Sequence, residues 1–134
     1  MIFNAKKTDG GRAFTGKITF NDMTLNKGNG MNGADGTFTS PIAGHYRFTF
    51  SAIGGIEKYG IKTWVWVYKS GSFALLIGDN NNSKSSSGNS ISYDWIMQLN
   101  KGETVSLEVF STSYLCADSW FPVNFNGELV FMET

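Results

Sequence analysis

The chain has 134 residues, of which 41% are hydrophobic and 15% aromatic, and its 11 basic residues balance its 11 acidic residues. This apolar content excludes a disordered chain, and the zero net charge argues against a protein that binds nucleic acid through its phosphates. No apolar run approaches the roughly 18 residues of a membrane span. We therefore expect one globular domain with no membrane insertion.

Alternation of apolar and polar residues recurs along the chain between glycine-containing turns, and this period of two predicts strands. The nine predicted strands are, in chain order, 12–20, 23–26, 36–40, 45–53, 63–68, 73–77, 90–99, 104–110 and 125–132. Turns are predicted at Asp35-Gly36, Ser70-Gly71 and Asn100-Lys101-Gly102. Short strands separated by turns at such intervals are typical of an all-β sandwich or barrel.

Two stretches stand out from this pattern. Residues 64–68 read Trp-Val-Trp-Val-Tyr, so this strand has large apolar groups on both faces. It is either a central strand or a strand covered by a second subunit, because an antiparallel sheet usually keeps one face polar. Residues 79–89 are rich in Asn and Ser and predict a solvated loop, which contains a pattern for N-glycosylation at Asn81.

A spaced set of residues resembles the signature of the C1q globular domain family. Its members are Phe20, Asn26, Met31, Phe38, Gly44, Tyr46, Phe48 and Phe50, and only Met31 departs from the residue types usual in the family. Further segments resemble family motifs at residues 38–44, 67–71, 99–105 and 125–129. The resemblance covers roughly residues 12–132.

The resemblance implies an all-β, ten-stranded antiparallel jelly-roll sandwich, shared with tumour necrosis factor, that assembles as a homotrimer. It places the globular domain at residues 12–134 and leaves residues 1–11 as an N-terminal extension. Family members are mostly secreted and often follow a collagen-like stalk. Because the chain has neither a Gly-X-Y repeat nor a recognisable leader, we expect the mature form of a stalkless, extracellular protein.

The chain offers little for catalysis or metal binding. Cys116 and His45 are the only residues of their types, so neither a thiolate cluster nor an imidazole pair can form, and no nucleophile with its base can be nominated. We predict no enzyme activity, no catalytic residue, no protein metal site and no cofactor. Some C1q-like trimers hold calcium through acidic loop residues, and Asp118 lies in the corresponding late loop, so the resemblance leaves calcium open.

Residues 111–124 predict a loop that carries four large apolar side chains, Tyr114, Leu115, Trp120 and Phe121. Either the loop folds back to fill a gap in the jelly roll or the trimer seam, or it binds a ligand, since binding residues concentrate in loops. Aromatic rings beside a polar group suit recognition of a sugar or a protein surface. The predicted ligand-binding residues are Tyr114, Asp118, Trp120 and Phe121.

These observations lead to a functional hypothesis. We expect a secreted trimeric recognition protein of innate immunity that binds glycans or microbial surface ligands, in the manner of a lectin and without catalysis. The alternative is an extracellular signalling or matrix protein whose partner is a protein receptor.

Overall fold

A computed structural model describes residues 1–54, 63–78, 90–110 and 113–133, and the regular structure in these residues is entirely β. The strands are β1 (Ile2–Lys7), β2 (Gly11–Phe14), β3 (Gly16–Lys17), β4 (Asp22–Lys27), β5 (Met31–Asn32), β6 (Thr37–Thr39), β7 (Gly44–Gly54), β8 (Trp64–Lys69), β9 (Ser72–Gly78), β10 (Ser90–Leu99), β11 (Thr104–Val109), β12 (Leu115–Ala117) and β13 (Val123–Met132). Among these residues no helix has the length and apolar character of a membrane span. The predicted loop at 79–89, with its glycosylation pattern at Asn81, lies outside the described residues.

Two antiparallel sheets pack face to face, which confirms the predicted sandwich. The larger sheet is built around β7, which pairs with β10 on one side and with β13 and β12 on the other. From β13 it continues to β1 and β4, and from β12 to β2. The smaller sheet has the order β5-β6-β11-β8-β9, with β3 also paired to β11.

The core lies between the sheets and is dominated by aromatic rings. Along β7 the alternate residues Tyr46, Phe48 and Phe50 are fully buried, as their spacing predicts. The Phe48 ring lies 5.5 Å from that of Phe38 and 5.7 Å from that of Phe125, so rings from both sheets meet at this residue. Such burial supplies most of the hydrophobic stabilisation of the domain.

The N-terminal residues differ from the expectation of an extension over residues 1–11. Ile2–Lys7 form β1, which is hydrogen bonded to β13 on one side and to β4 on the other. Phe3 and Ala5 point into the core and are fully buried. Residues 2–7 are therefore an integral part of the larger sheet, because removing them would expose the edge of β13 and a core phenylalanine.

Two further segments depart from the predicted strands. Residues 12–20 do not form one strand, because the chain passes from β2 in the larger sheet to β3 in the smaller sheet at Gly16, which has a φ of 96°. Residues 111–124 are not one loop, because Leu115–Ala117 form the fully buried strand β12. The predicted turns are confirmed, with positive φ angles at Gly36, Gly71 and Gly102.

Candidate functional site

The connection between β12 and β13 presents an aromatic residue to solvent. Trp120 is 79% exposed, more than any other large apolar side chain that the structure describes. Its neighbour Phe121 is 37% exposed. Because exposing an indole to water is unfavourable, a residue so placed within a short ordered connection is a candidate for contact with another molecule.

A carboxylate holds this connection in shape. Asp118 Oδ1 accepts hydrogen bonds from the backbone N–H groups of Trp120, at 3.1 Å, and Phe121, at 2.8 Å. Asp118 Oδ2 accepts a third from Arg12 Nε at 3.0 Å. The first two bonds form a turn of the kind that Asp commonly makes with its own backbone, and the third ties the turn to β2, which pairs with β12.

These hydrogen bonds lower the pKa of Asp118 below its ordinary value of 3.8. The largest cause is the hydrogen bond from the Phe121 N–H group, and the bonds from Arg12 and the Trp120 N–H group also lower the pKa. Partial desolvation of the carboxylate acts in the opposite direction and raises the pKa. A carboxyl group whose pKa is lower in the folded state stabilises that state above its unfolded pKa, and this contribution is lost as the pH falls through the folded pKa.

We therefore expect the turn to keep its conformation down to pH 3.8 and to loosen only in stronger acid. The measurement is an NMR titration of the Asp118 carboxyl carbon together with the Phe121 amide. Both should titrate together, with a midpoint below 3.8, and Arg12→Ala should move that midpoint upward because it removes one of the favourable partners. A midpoint at or above 3.8 in the unmodified protein would show that these bonds do not hold the turn.

A groove runs beside the turn. It has a volume of about 250 Å³ and is lined by Ser51, Ala52, Ile53, Ser90, Trp120, Phe121, Pro122 and Asn124. The lining combines aromatic and aliphatic surface with two hydroxyl groups and one amide group. This mixture suits an amphipathic ligand such as a sugar ring, whose C–H face packs on an aromatic ring while its hydroxyl groups form hydrogen bonds.

The structure brings together three of the four predicted site residues. Asp118, Trp120 and Phe121 lie in one turn, whereas Tyr114 precedes the opposite end of β12 and is absent from the described lining of the groove. Tyr114 is half-buried, and its carbonyl oxygen accepts a hydrogen bond from Thr63 Oγ1 at 3.1 Å. Leu115 is fully buried in the core. For this residue the structure therefore supports the interpretation that it fills space inside the jelly roll and does not bind a ligand.

Sequence reasoning missed the residues that come from elsewhere in the chain. Arg12 lies 106 positions from Asp118, and the two meet only because β2 pairs with β12. Ser51 and Ser90 reach the groove because β7 pairs with β10 on one side and with the start of β13 on the other. Nothing in the local pattern around these residues signals the contact.

The surroundings of Asp118 do not favour a calcium site. Its carboxylate already accepts bonds from a guanidinium and two amides, whereas calcium takes about six to eight oxygen ligands. Within the described ranges, no group of three or more His, Cys, Asp or Glu side chains is placed to hold a metal ion. We therefore assign no metal chemistry to the turn.

The single cysteine and the single histidine of the sequence lie apart from the groove. The Cys116 side chain is fully buried in β12, with Sγ 3.6 Å from the carbonyl oxygen of Gly54, so it does not reach the surface to link molecules. His45 is about one-third exposed, and its Nδ1 lies 3.2 Å from Glu133 Oε1.

Comparisons with known proteins agree on the fold. The model of the C1q domain family matches residues 2–130. The globular domain of the zebrafish complement 1qA protein is similar, with a TM-score of 0.76, 24% identity and coverage of 98% of each chain. Murine APRIL at pH 5.0 is also similar, with a TM-score of 0.66, 11% identity and coverage of 94% of this chain and 98% of that one. A search of curated proteins gave no significant match. The sandwich is thus a jelly roll of the type common to C1q and tumour necrosis factor.

Proposed function

Because the chain belongs to the C1q domain family, we propose that it is a secreted, homotrimeric recognition protein that binds a glycan or another microbial surface ligand through the groove beside Trp120. Membership of the family supports a recognition or signalling protein of the secreted type. The observation that carries the finer proposal is the 79% exposure of Trp120 on a turn held by Asp118 and Arg12.

The turn is prepared for binding before a ligand arrives. Three hydrogen bonds to Asp118 fix the backbone that carries Trp120 and Phe121. Ordering a flexible loop on binding would cost free energy, and a turn that is already ordered avoids much of that cost. Trp residues are over-represented among those that dominate binding energy, because they present a large rigid area with few rotatable bonds.

A trimer would make a weak site effective. Three equivalent grooves on one particle allow simultaneous contact with a repeated surface such as a glycan coat, and each further contact becomes an intramolecular event. The proposed mechanism is accordingly binding and bridging, with no bond made or broken.

We expect Trp120→Ala to weaken binding on a glycan array at least about tenfold, because the variant removes the largest contact surface of the groove. The matched control is Tyr93→Ala, which truncates another exposed aromatic residue, 47% exposed, that does not line the groove. The array is read together with the mass in solution from light scattering.

The expected result for Trp120→Ala is a trimer of unchanged mass whose glycan binding is at least about tenfold weaker, while Tyr93→Ala keeps both properties. If Trp120→Ala instead separates into single subunits, Trp120 belongs to a seam between subunits and the groove is not the ligand site. If the unmodified protein binds no glycan, the alternative of a protein receptor replaces the proposal.

A further inference from the structure

A buried lysine lies at the end of β1. The Lys7 side chain is only 6% exposed, and its Nζ lies 2.9 Å from Asp9 Oδ1. The same nitrogen donates a hydrogen bond to Thr19 Oγ1 at 3.1 Å. It also lies 4.6 Å from the centre of the Phe14 ring, which is a distance typical of a cation–π contact. We call these four residues, Lys7, Asp9, Phe14 and Thr19, the lysine cage.

The burial of the ammonium group makes the lysine cage a strong constraint on the chain. A buried cation is unfavourable unless charged or polar partners surround it, so Asp9 and Thr19 must stay close to Lys7. Asp9 and Phe14 both follow β1 within one short stretch of the chain. Thr19 comes next to Ile18, whose N–H group is hydrogen bonded to β11 in the smaller sheet. The stretch from residue 7 to residue 14 is therefore held at both ends.

The held stretch contacts the base of the candidate site at two points. We call residues 8–12, which lie within it, the bracing segment. The Gly10 N–H group donates a hydrogen bond to the carbonyl oxygen of Ala117 at 2.8 Å, and Arg12 Nε donates one to Asp118 Oδ2 at 3.0 Å. Ala117 ends β12 and Asp118 follows it. The bracing segment therefore holds the two residues from which the chain continues to Trp120.

Gly10 brings the lysine cage and β12 into close contact. A Cβ atom at this position would lie 2.9 Å from Lys7 Cε, 2.9 Å from Ala117 Cβ and 3.0 Å from Phe14 Cδ2. All three distances are shorter than the roughly 3.5–4.0 Å of an ordinary contact between carbon atoms. Two members of the cage and the last residue of β12 are thus packed on one glycine, so a displacement of the cage also disturbs β12.

Lys7 does not act on the Asp118 carboxylate directly. The groups that lower the pKa of Asp118 are its two backbone donors and the Arg12 guanidinium, and Lys7 is not one of them. An effect of Lys7 on the turn must therefore pass through the position of the bracing segment.

We propose that Lys7 is a positioning residue for the candidate site: the lysine cage fixes the bracing segment, and the bracing segment fixes the turn that carries Trp120. The importance of this role for ligand binding rests on the proposed function. Lys7, Gly10 and Arg12 are absent from the described lining of the groove, so they serve the site without lining it. Residues 1–11, which the family resemblance left outside the globular domain, thereby help to present the site.

The test measures amide hydrogen exchange by NMR near neutral pH in the unmodified protein and in Lys7→Met, which keeps a long side chain and removes the ammonium group. We expect the Phe121 N–H group, which is bonded to Asp118, to exchange at least about tenfold faster in the variant, because the turn opens more often. Arg12→Ala should accelerate the same amide. The double variant should add little to the larger single effect, since both changes act through the bracing segment.

Lys69→Met is the matched control, because Lys69 Nζ also lies near a carboxylate, at 3.8 Å from Glu103 Oε2, but belongs to the smaller sheet. It should leave the exchange of the Phe121 amide unchanged. The amides of β11 report on opening of the core and so measure any general loss of stability. Thr19→Val removes one partner of Lys7 Nζ without changing the net charge, and it provides the same test if Lys7→Met does not fold.

The inference is overturned if the Phe121 amide exchanges in Lys7→Met and in Thr19→Val as it does in the unmodified protein, even where the β11 amides exchange faster. The lysine cage would then support the fold and not the turn. It is also overturned if the effects of Lys7→Met and Arg12→Ala simply add, because the two residues would then act independently.

The glycan array separates this inference from the proposed function. Lys7→Met should weaken glycan binding roughly threefold or more, because a loosened turn must be ordered again when the ligand binds. If the unmodified protein binds no glycan, the proposed function fails, while the exchange rates still decide the role of Lys7. Faster exchange of the Phe121 amide with unchanged glycan binding would contradict the groove as the glycan site and leave the positioning role standing.

Discussion

Phe48→Ala is expected to lower the free energy of unfolding by about 3–5 kcal/mol, the range found when a buried aromatic residue is truncated in a core that cannot collapse around the gap. Phe48 is fully buried. Its ring lies within 6.5 Å of the rings of Phe3, Phe38, Tyr46, Trp95 and Phe125. These rings come from both sheets, so no single strand can shift to fill the cavity without breaking its ladder of hydrogen bonds.

Urea denaturation at a fixed protein concentration measures this effect, and Phe73→Ala serves as the matched control. The control removes the same atoms from a ring that is 56% exposed, so we expect it to cost about 1 kcal/mol or less. A loss below about 1 kcal/mol for Phe48→Ala would mean that the sheets do not meet around this residue as described.

Gly36→Ala is expected to destabilise the protein by about 3 kcal/mol, from strain in the backbone added to a steric clash. Gly36 has a φ of 74°, a conformation that residues with a side chain rarely adopt. A Cβ atom at this position would lie 2.0 Å from the carbonyl oxygen of Ile18. That oxygen belongs to backbone that is tied to β11 by the bond from the Ile18 N–H group to the carbonyl oxygen of Leu107, so it has little freedom to move.

Gly71→Ala separates the two contributions. Gly71 also has a positive φ, of 82°, but a Cβ atom there would meet nothing within 4 Å, so the control carries backbone strain alone, about 1 kcal/mol. Both variants are compared by urea denaturation under identical conditions. Equal losses for the two variants would contradict the close approach of the Asp35-Gly36 turn to Ile18.

Long, regular alternation was enough to predict the strands that organise the larger sheet. β10 begins and ends where the sequence predicts, and β7 differs by one residue at each end, because large apolar residues at every second position leave one way to bury them. β1 and β12 were missed for the opposite reason. Their inward residues include Ala5 and Ala117, which are fully buried but whose small side chains leave a weak pattern in the sequence.

The candidate groove could be predicted only in part. Asp118, Trp120 and Phe121 are neighbours in the sequence, so their association was visible as an aromatic cluster beside a carboxylate. Arg12, Ser51 and Ser90 contribute because strand pairing brings distant segments together. Tyr114 was assigned to the same group by proximity in the chain, whereas β12 holds it away from the groove.

The sequence by itself determined the fold class, the turns and the aromatic character of the core, because period-two patterning and glycine at positive φ are properties of short segments. Only the tertiary structure decided which aromatic residues remain in contact with water. Val67 and Trp66 are adjacent and both apolar, yet Val67 lies in the core and Trp66 on the outer side of the smaller sheet. Which residues of β8 are buried depends on which side of the smaller sheet faces the larger sheet. This is a property of the packed sandwich, and no single segment of the sequence determines it.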